Sequence, residues 1–503
     1  MRKAAIALAT LTLVGSACSG DDGAGDSSQP AGSTTEAAPP VHYEPTFEPE
    51  ACPPGTASSV ACGRLVVPED RTDPDSPSVR LAVAIVPSRA EEPAPDPVVV
   101  LHGGPGGSLV GTSDNFVGNE LGGSRDVILM DQRGTGLSEP SLACPDQDVA
   151  LGVDVVVSGL GAPTFPRRQN ELLAACRRSI VARGVDPGAY DTVESATDVA
   201  DLRTALGIDE WNIFSVSYGT RLALAVLRDH PEGVRSAVLD SVYPPEIDEV
   251  RDMADDLDHA LGVLYDACAA QTGCSAAYPD LPQLWSELQL RLAEGPIEVT
   301  VAHPTTGEPL TVVIDDDLLS LVAFGALYDR DLIAVLPFFL DQLAQGQPDA
   351  LAAALVANLA ERQIPPALTQ GAFFSGECAD EIAYTEGATY DIEFGVADEE
   401  SCATWDVPAG GLGNKPITSD VPTLVLAGAF DPVTPAAWSR AQADRMAEAT
   451  YVEFPFFGHS IITSTEPGGC ARQIRLTFFA APEQRPDATC AADQAPIEFR
   501  APG

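Results

Sequence analysis

Short continuous runs of Val, Ile and Leu alternate with helical patterns along most of this chain, and that alternation narrows the folds open to it. Residues Val79–Pro87, Pro97–Leu101, Asp126–Met130, Trp211–Val216, Val234–Leu239, Pro422–Ala427 and Tyr451–Phe454 read as strands. Several lack polar alternation, as expected of strands covered on both faces of a parallel sheet. Between them, Thr192–Leu206 carries Val193, Ala196, Val199, Leu202 and Leu206 in a helical pattern and stops at Gly207. Strands alternating with helices predict an α/β fold. From residue 246 to 410 the rhythm changes. Glu249–Ala270, Leu284–Ala293, Leu318–Tyr328, Leu332–Ala344 and Ala350–Glu361 read as helices, and Ile297–Ile314 as a hairpin turning at Thr305-Thr306-Gly307-Glu308. The predicted organisation is an α/β core over 49–245, a mostly helical insertion over 246–410, and the remaining core over 411–503.

The N-terminus reads differently. Arg2 and Lys3 precede the apolar run Ala4–Val14, so residues 1–17 read as an export signal, too short for a permanent span. Gly15-Ser16-Ala17-Cys18 resembles a bacterial lipobox, which predicts lipidation of Cys18; plain secretion is the alternative. Residues 18–48, rich in Gly, Ser, Asp, Thr and Pro, are expected to form a flexible tether. Ten further cysteines fall into sequence-local couples, which in an exported chain predict disulfides. The expected pairs are Cys52–Cys62, Cys144–Cys176, Cys268–Cys274, Cys378–Cys402 and Cys470–Cys490. No C-x-x-C pair or nearby His cluster supports a metal site instead, and none is expected. Lys and Arg number 28 against 74 Asp and Glu, a net charge of −46. That balance argues against nucleic acid, whose phosphates need clustered cations. With Lys3 and Lys415 the only lysines, there is no polybasic membrane patch, and the lipid on Cys18 is the one expected membrane attachment.

Phe214-Ser215-Val216-Ser217-Tyr218-Gly219 follows a strand and precedes the helical run Thr220–Arg228. It resembles the G-x-S-x-G turn that presents a nucleophilic serine. The turn is sharp, so the residues two before and two after the serine must be small. Gly219 satisfies this, and Ser215 stands where Gly is usual. An earlier strand leads into Leu101-His102-Gly103-Gly104-Pro105-Gly106-Gly107-Ser108, whose glycines free backbone N–H groups to face developing negative charge. The expected oxyanion donors are the N–H groups of Tyr218 and Gly104. A phosphate loop would need G-K-[ST] or G-x-G-x-x-G, and neither is present.

The base follows by elimination among six histidines. His42 is in the tether, His102 in the glycine loop, His230 at a helix end, and His259 and His303 in the insertion. His459, in Phe457-Gly458-His459-Ser460, follows the last strand and is the expected base. Asp431, which ends the preceding strand, is the expected acid. Asp240, ending the strand after the nucleophile helix, is the other candidate and is expected instead to hydrogen-bond loops beside the site. The order Ser217, Asp431, His459 fits that of α/β-hydrolases. Ser217 would attack a carbonyl carbon, His459 would take and return the proton, and Asp431 would fix the imidazole tautomer. These groups and backbone donors suffice, so no cofactor is expected. The helical insertion then reads as a cap over this site.

Together, His102-Gly103-Gly104-Pro105-Gly106-Gly107, Asp131-Gln132-Arg133-Gly134-Thr135-Gly136-Leu137-Ser138, Ser217-Tyr218-Gly219, Phe430-Asp431-Pro432-Val433-Thr434-Pro435 and Gly458-His459 resemble the α/β-hydrolases of the proline iminopeptidase and tripeptidyl aminopeptidase group. Tyr218, the cysteine pattern and the C-terminal segment are more similar to the secreted tripeptidyl type. The resemblance implies removal of short peptides or single residues from free peptide N-termini. Asp131 and Arg133 are expected to pair and brace the loop beside the oxyanion hole. A substrate ammonium needs carboxylate partners when desolvated, and Glu377, Asp380 and Glu381 around Cys378 are the candidates. An exported esterase or amidase with the same triad is the alternative enzyme, and a lipid-anchored binding protein on this scaffold is the non-enzymatic one. The expected partner is a peptide substrate; the sequence assigns no oligomeric state.

Overall fold

The computed structural model describes residues 42–118, 121–362, 368–385, 397–462 and 469–501. The expected export signal, Cys18 and most of the tether lie outside them. A nine-stranded sheet organises the core, in the order β1-β2-β3-β5-β4-β6-β7-β10-β11. Its strands are β1 (Thr46–Glu50), β2 (Ala61–Pro68), β3 (Ser78–Val86), β4 (Val98–Leu101), β5 (Val127–Met130), β6 (Trp211–Ser217), β7 (Val234–Val242), β10 (Thr423–Gly428) and β11 (Ala449–Phe454). Strands β1 to β3 pair antiparallel with one another, and β3 pairs antiparallel with β5. From β5 through β4, β6, β7 and β10 to β11 every pairing is parallel. The continuous run Val98–Leu101 shows why such strands lack alternation: Val99 and Leu101 enter one apolar layer, Val98 and Val100 the other. Each such buried side chain contributes about 1.5–3 kcal/mol.

Helices α1 (Pro145–Ser158), α2 (Phe165–Val181), α3 (Thr192–Ala205) and α4 (Tyr218–Asp229) occur before β7. Leu222 and Val226 of α4 pack with Val199 and Leu202 of α3 in one core layer. Between β7 and β10 lie α5 (Glu249–Ala269), α6 (Thr272–Ala277), α7 (Leu281–Glu294), the hairpin β8 (Ile297–Ala302) and β9 (Pro309–Ile314), α8 (Asp316–Ala326), α9 (Arg330–Ala344), α10 (Asp349–Arg362), α11 (Gln370–Asp380) and α12 (Glu399–Trp405). This insertion has its own apolar core, including Leu257 and Leu261 of α5 and Leu336 and Leu340 of α9. Helices α13 (Ala436–Ala443), α14 (Cys470–Ala480) and α15 (Thr489–Ala492) complete the chain, and Phe478 and Phe479 of α14 cover the opposite face of the sheet from α3 and α4.

Two boundaries differ from those read in the sequence. The assigned tether runs to residue 48, yet β1 begins at Thr46, and the Tyr43 hydroxyl already donates to Asp201 at 2.6 Å. The apolar face of Phe47 lies over Gly63 of β2, which has no side chain to oppose it. Helix α1 falls in the segment assigned to the core, but it packs on β9 and α10 and buries Val156 in the cap's apolar core. The five disulfides are Cys52–Cys62, Cys144–Cys176, Cys268–Cys274, Cys378–Cys402 and Cys470–Cys490. Cys378–Cys402 ties α11 to α12. No helix among the described residues is long and apolar enough to cross a membrane.

Candidate active site

Ser217 ends β6 and Tyr218 opens α4, so the serine sits at a strand-to-helix turn on the C-terminal edge of the parallel sheet. Its φ of 58° and ψ of −133° place a residue with a side chain in a region L-amino acids rarely occupy. A Cβ on Gly219 would come within 2.2 Å of the Leu101 carbonyl oxygen, so that position accepts only glycine. Ser215, where glycine is usual, is accommodated by a hydrogen bond: it is fully buried and its hydroxyl donates to the Val238 carbonyl of the next strand at 3.0 Å.

Asp431 lies just beyond β10 and His459 just beyond β11, on the same edge of the sheet. His459 Nδ1 and Asp431 Oδ2 are 2.9 Å apart. The other carboxylate oxygen accepts the N–H groups of Val433 and Thr434 at 3.0 and 2.9 Å, and the Thr434 hydroxyl donates to Oδ2 at 2.8 Å. Burial lowers the His459 pKa, but the charge and hydrogen bond of Asp431, followed by Asp240 and Glu249, outweigh it and raise the pKa above the ordinary value. The Tyr328 ring, two residues beyond α8, lies 4.7 Å from the His459 ring. Gly458 lets the cap approach this closely, since a Cβ there would meet the Leu327 carbonyl oxygen at 1.9 Å.

The glycine-rich turn faces the serine. A Cβ on Gly103 would lie 2.7 Å from Ser217 Cβ and 3.1 Å from its Oγ. Gly104 has φ 128° and precedes a cis proline. Tyr218, as the first residue of α4, has an N–H with no intrahelical acceptor. Asp131 and Arg133, expected to pair with each other, do not. Asp131 instead accepts the N–H groups of Leu109, Val110 and Leu137 at 2.7, 2.9 and 2.8 Å, holding the end of the glycine loop to its own loop. Arg133 points the other way. Its fork meets both oxygens of Asp198 in α3 at 2.7 and 2.8 Å, and it also donates to the Glu69 carbonyl at 2.8 Å. A buried guanidinium needs a two-oxygen partner, and the Asp131 oxygens are already taken by backbone donors.

Helix α11 brings Glu377, Asp380 and Glu381 to one place, and all three are buried. Two of them are engaged. Glu381 accepts Arg221 at 2.8 Å and the Glu249 N–H at 2.9 Å, and Asp380 accepts the Thr192 N–H at 2.8 Å. Arg221, from α4, also donates to the Asp380 carbonyl at 2.9 Å and lies 4.3 Å from the centre of the Tyr243 ring. Burial, Glu249 and Glu381 push the Glu377 carboxyl well above its usual range. Glu249, at the start of α5, is pushed to about 7 by burial and then by Glu381, yet it keeps partial exposure to solvent. Asp380 is likewise pushed to about 7, by burial and by Asp191. Four carboxyl groups thus surround one guanidinium, more acidic groups than Arg221 can pair, and a second cation there would favour their ionised forms. Glu249 was not singled out in the sequence, and Gly103 was read only as part of the glycine-rich turn. Glu249 resembles any acidic residue in a helix's first turn; Arg221, a cation one turn after the nucleophile and directly before the apolar run Leu222–Leu227, offered a usable signal.

The groups assembled here can activate a hydroxyl, hold a developing oxyanion and neutralise a cation. Among the described residues no cluster of His, Cys, Asp and Glu could hold a metal ion. Residues 96–277 match the family model described as alpha/beta hydrolase fold, and residues 393–490 the model described as TAP-like protein. Serine protease Hip1 of Mycobacterium tuberculosis is 25% identical over 432 residues, covering 79% of this chain and 81% of its own. Putative hydrolase YuaR of Escherichia coli is 25% identical over 473 residues, covering 86% and 89%. Tripeptidyl aminopeptidase of Streptomyces coelicolor is 28% identical over 198 residues, 38% of this chain and 36% of its own.

Proposed function

We propose that this chain, a serine hydrolase of the α/β-hydrolase fold, belongs to the proline iminopeptidase and tripeptidyl aminopeptidase group and is an exported aminopeptidase releasing tripeptides or single residues from free peptide N-termini. Ser217 attacks the scissile carbonyl, and His459 takes the hydroxyl proton and later delivers it to the leaving amine. Asp431 keeps the proton on Nδ1 and stabilises the imidazolium. The N–H groups of Tyr218 and Gly104 receive the oxyanion, aided by the positive end of α4. The acyl-enzyme is then hydrolysed by water through the same base.

The observation that carries the choice of peptide substrate is the excess of carboxyl groups that the cap gathers around Arg221, of which Glu249 also acts on His459. Asp380 and Glu381 hold α11 against Thr192 and Arg221. Glu377, with Glu249 beside the Tyr243 hydroxyl, would meet a substrate ammonium, whose charge would also lower their raised pKa values. Five disulfides support an oxidising compartment. Membrane attachment through a lipid on Cys18 is part of the proposal.

The catalytic part is tested by active-site labelling. A fluorophosphonate should modify Ser217 and no other serine, and Ser217→Ala should lose both the label and about 10⁴–10⁶ in kcat. A label on another residue, or no label on folded protein, contradicts it and favours a binding role.

A further inference from the structure

We propose that Asp240 is a positioning residue for catalysis: with the Ser241 hydroxyl, its carboxylate clamps the backbone after His459 and so fixes the imidazole. The proposal rests on the reading of His459 as the base. Asp240 is wholly buried at the C-terminal end of β7. It pairs in register with Val216, beside the nucleophile, on one side and with Leu426 of β10 on the other. Its two oxygens accept successive N–H groups, Ile461 at 2.9 Å and Ile462 at 2.8 Å. The Ser241 hydroxyl accepts the Ser460 N–H at 2.9 Å. Three consecutive donors after His459 are therefore bound by two consecutive residues of β7.

The backbone shows how tightly this is drawn. Ser241 has φ 61° and Ser460 has φ 62°, a region where residues with side chains are uncommon. Such conformations persist when surrounding contacts determine them. Because β7 lies between β6 and β10, the clamp refers the imidazole to the strand carrying Ser217 and to the one leading to Asp431. Asp240 also acts at a distance. Among the described residues, charged groups that act on His459 include Asp431 beyond β10, Asp240 on β7 and Glu249 on α5, and the Tyr328 ring lies against it just past α8. Each carboxylate favours the imidazolium form. Burial pushes Asp240 itself to about 6 against the lowering effect of the Ile462 and Ile461 N–H groups.

The test is Asp240→Asn in the full chain, whose amide nitrogen would face one of the backbone donors. The expected result is a fall in kcat of about 10–100-fold with KM nearly unchanged, the size of effect that misplacing a catalytic group produces. Losing the charge should also move the titration of the His459 imidazole, followed by NMR or by the acid limb of kcat/KM, to lower pH. Ser241→Ala should lower kcat less and leave that titration in place, since it removes no charge. Folded D240N with wild-type kcat and an unmoved titration overturns the proposal. If D240N does not fold, S241A decides: unchanged kcat overturns it, and reduced kcat at constant KM supports it. His459→Ala separates the two levels. An active H459A removes the underlying assignment of the base, whereas an inactive H459A beside a fully active D240N removes only the clamp.

Discussion

At the scale of single residues, the site depends on atoms that approach closer than most side chains allow. Gly219 against the Leu101 carbonyl, Gly103 against Ser217 and Gly458 against the Leu327 carbonyl each leave no room for a methyl group. Gly219 was legible because the turn motif demands it. Gly458 was seen only as a neighbour of His459, because its contact lies in the cap, 131 positions earlier in the chain. The expected Asp131–Arg133 pair failed for the same kind of reason: the partner of Arg133 is Asp198, 65 residues away. Local spacing names the residues of a motif without fixing which way each side chain turns. Asp431 raises the His459 pKa, and the base must be neutral to work, so the acid limb of kcat/KM should lie above pH 6.5. Asp431→Asn should move that limb to lower pH and cost about 10⁴ in kcat. A limb that stays in place in D431N would contradict the assignment of the acid.

At the scale of elements, helical periodicity identified most cap helices but not how they face one another. The sequence places Glu377, Asp380 and Glu381 within five residues, and the fold divides their work. Asp380 and Glu381 fasten α11 to α3 and α4, while Glu377 meets Glu249 from α5. That meeting joins residues 128 positions apart and left no local mark in the sequence. Helix α1 joined the cap for an equally non-local reason, the burial of Val156 against cap side chains. The element-scale prediction separates the two roles. Glu377→Gln with Glu249→Gln should lower kcat/KM for free-amine peptides at least about 10-fold, as expected when a buried charge loses its partner. The variant should leave N-acetylated esters within about 2–3-fold and the thermal midpoint close to wild type. Glu381→Gln, which strips Arg221 of its carboxylate, should instead lower the midpoint. Equal losses on both substrates in E249Q/E377Q would count against the amine site.

At the scale of the whole molecule, alternating strands and helices made the α/β architecture readable, and the strands buried on both faces were the clearest signal. The exposed strand β1 and the alternating strand β2 were not read, because they lie at the antiparallel end of the sheet where no continuous apolar run forms. The excess of acidic residues behind the net charge of −46 extends into buried positions, where desolvation raises the carboxyl pKa. Asp148, Glu249, Asp256 and Asp380 are each pushed to about 7, burial being the leading cause in each case. A raised carboxyl pKa means that the folded state holds the proton more tightly. That contribution to stability is complete below the ordinary carboxylate range and is lost as pH rises through about 7. The groups with lowered values, such as Asp96 and Asp198, titrate below this window. The thermal midpoint should therefore fall between pH 5 and pH 8, and a rise over that interval would contradict the account. The central claim, a serine hydrolase that selects free peptide N-termini, is tested most directly by kinetics on three substrates: a chromogenic tripeptide anilide, its N-acetylated twin and a short-chain ester. Rapid turnover of the free-amine peptide and little of the acetylated one are expected; a preference for the ester, or equal rates on the two peptides, would overturn the aminopeptidase reading.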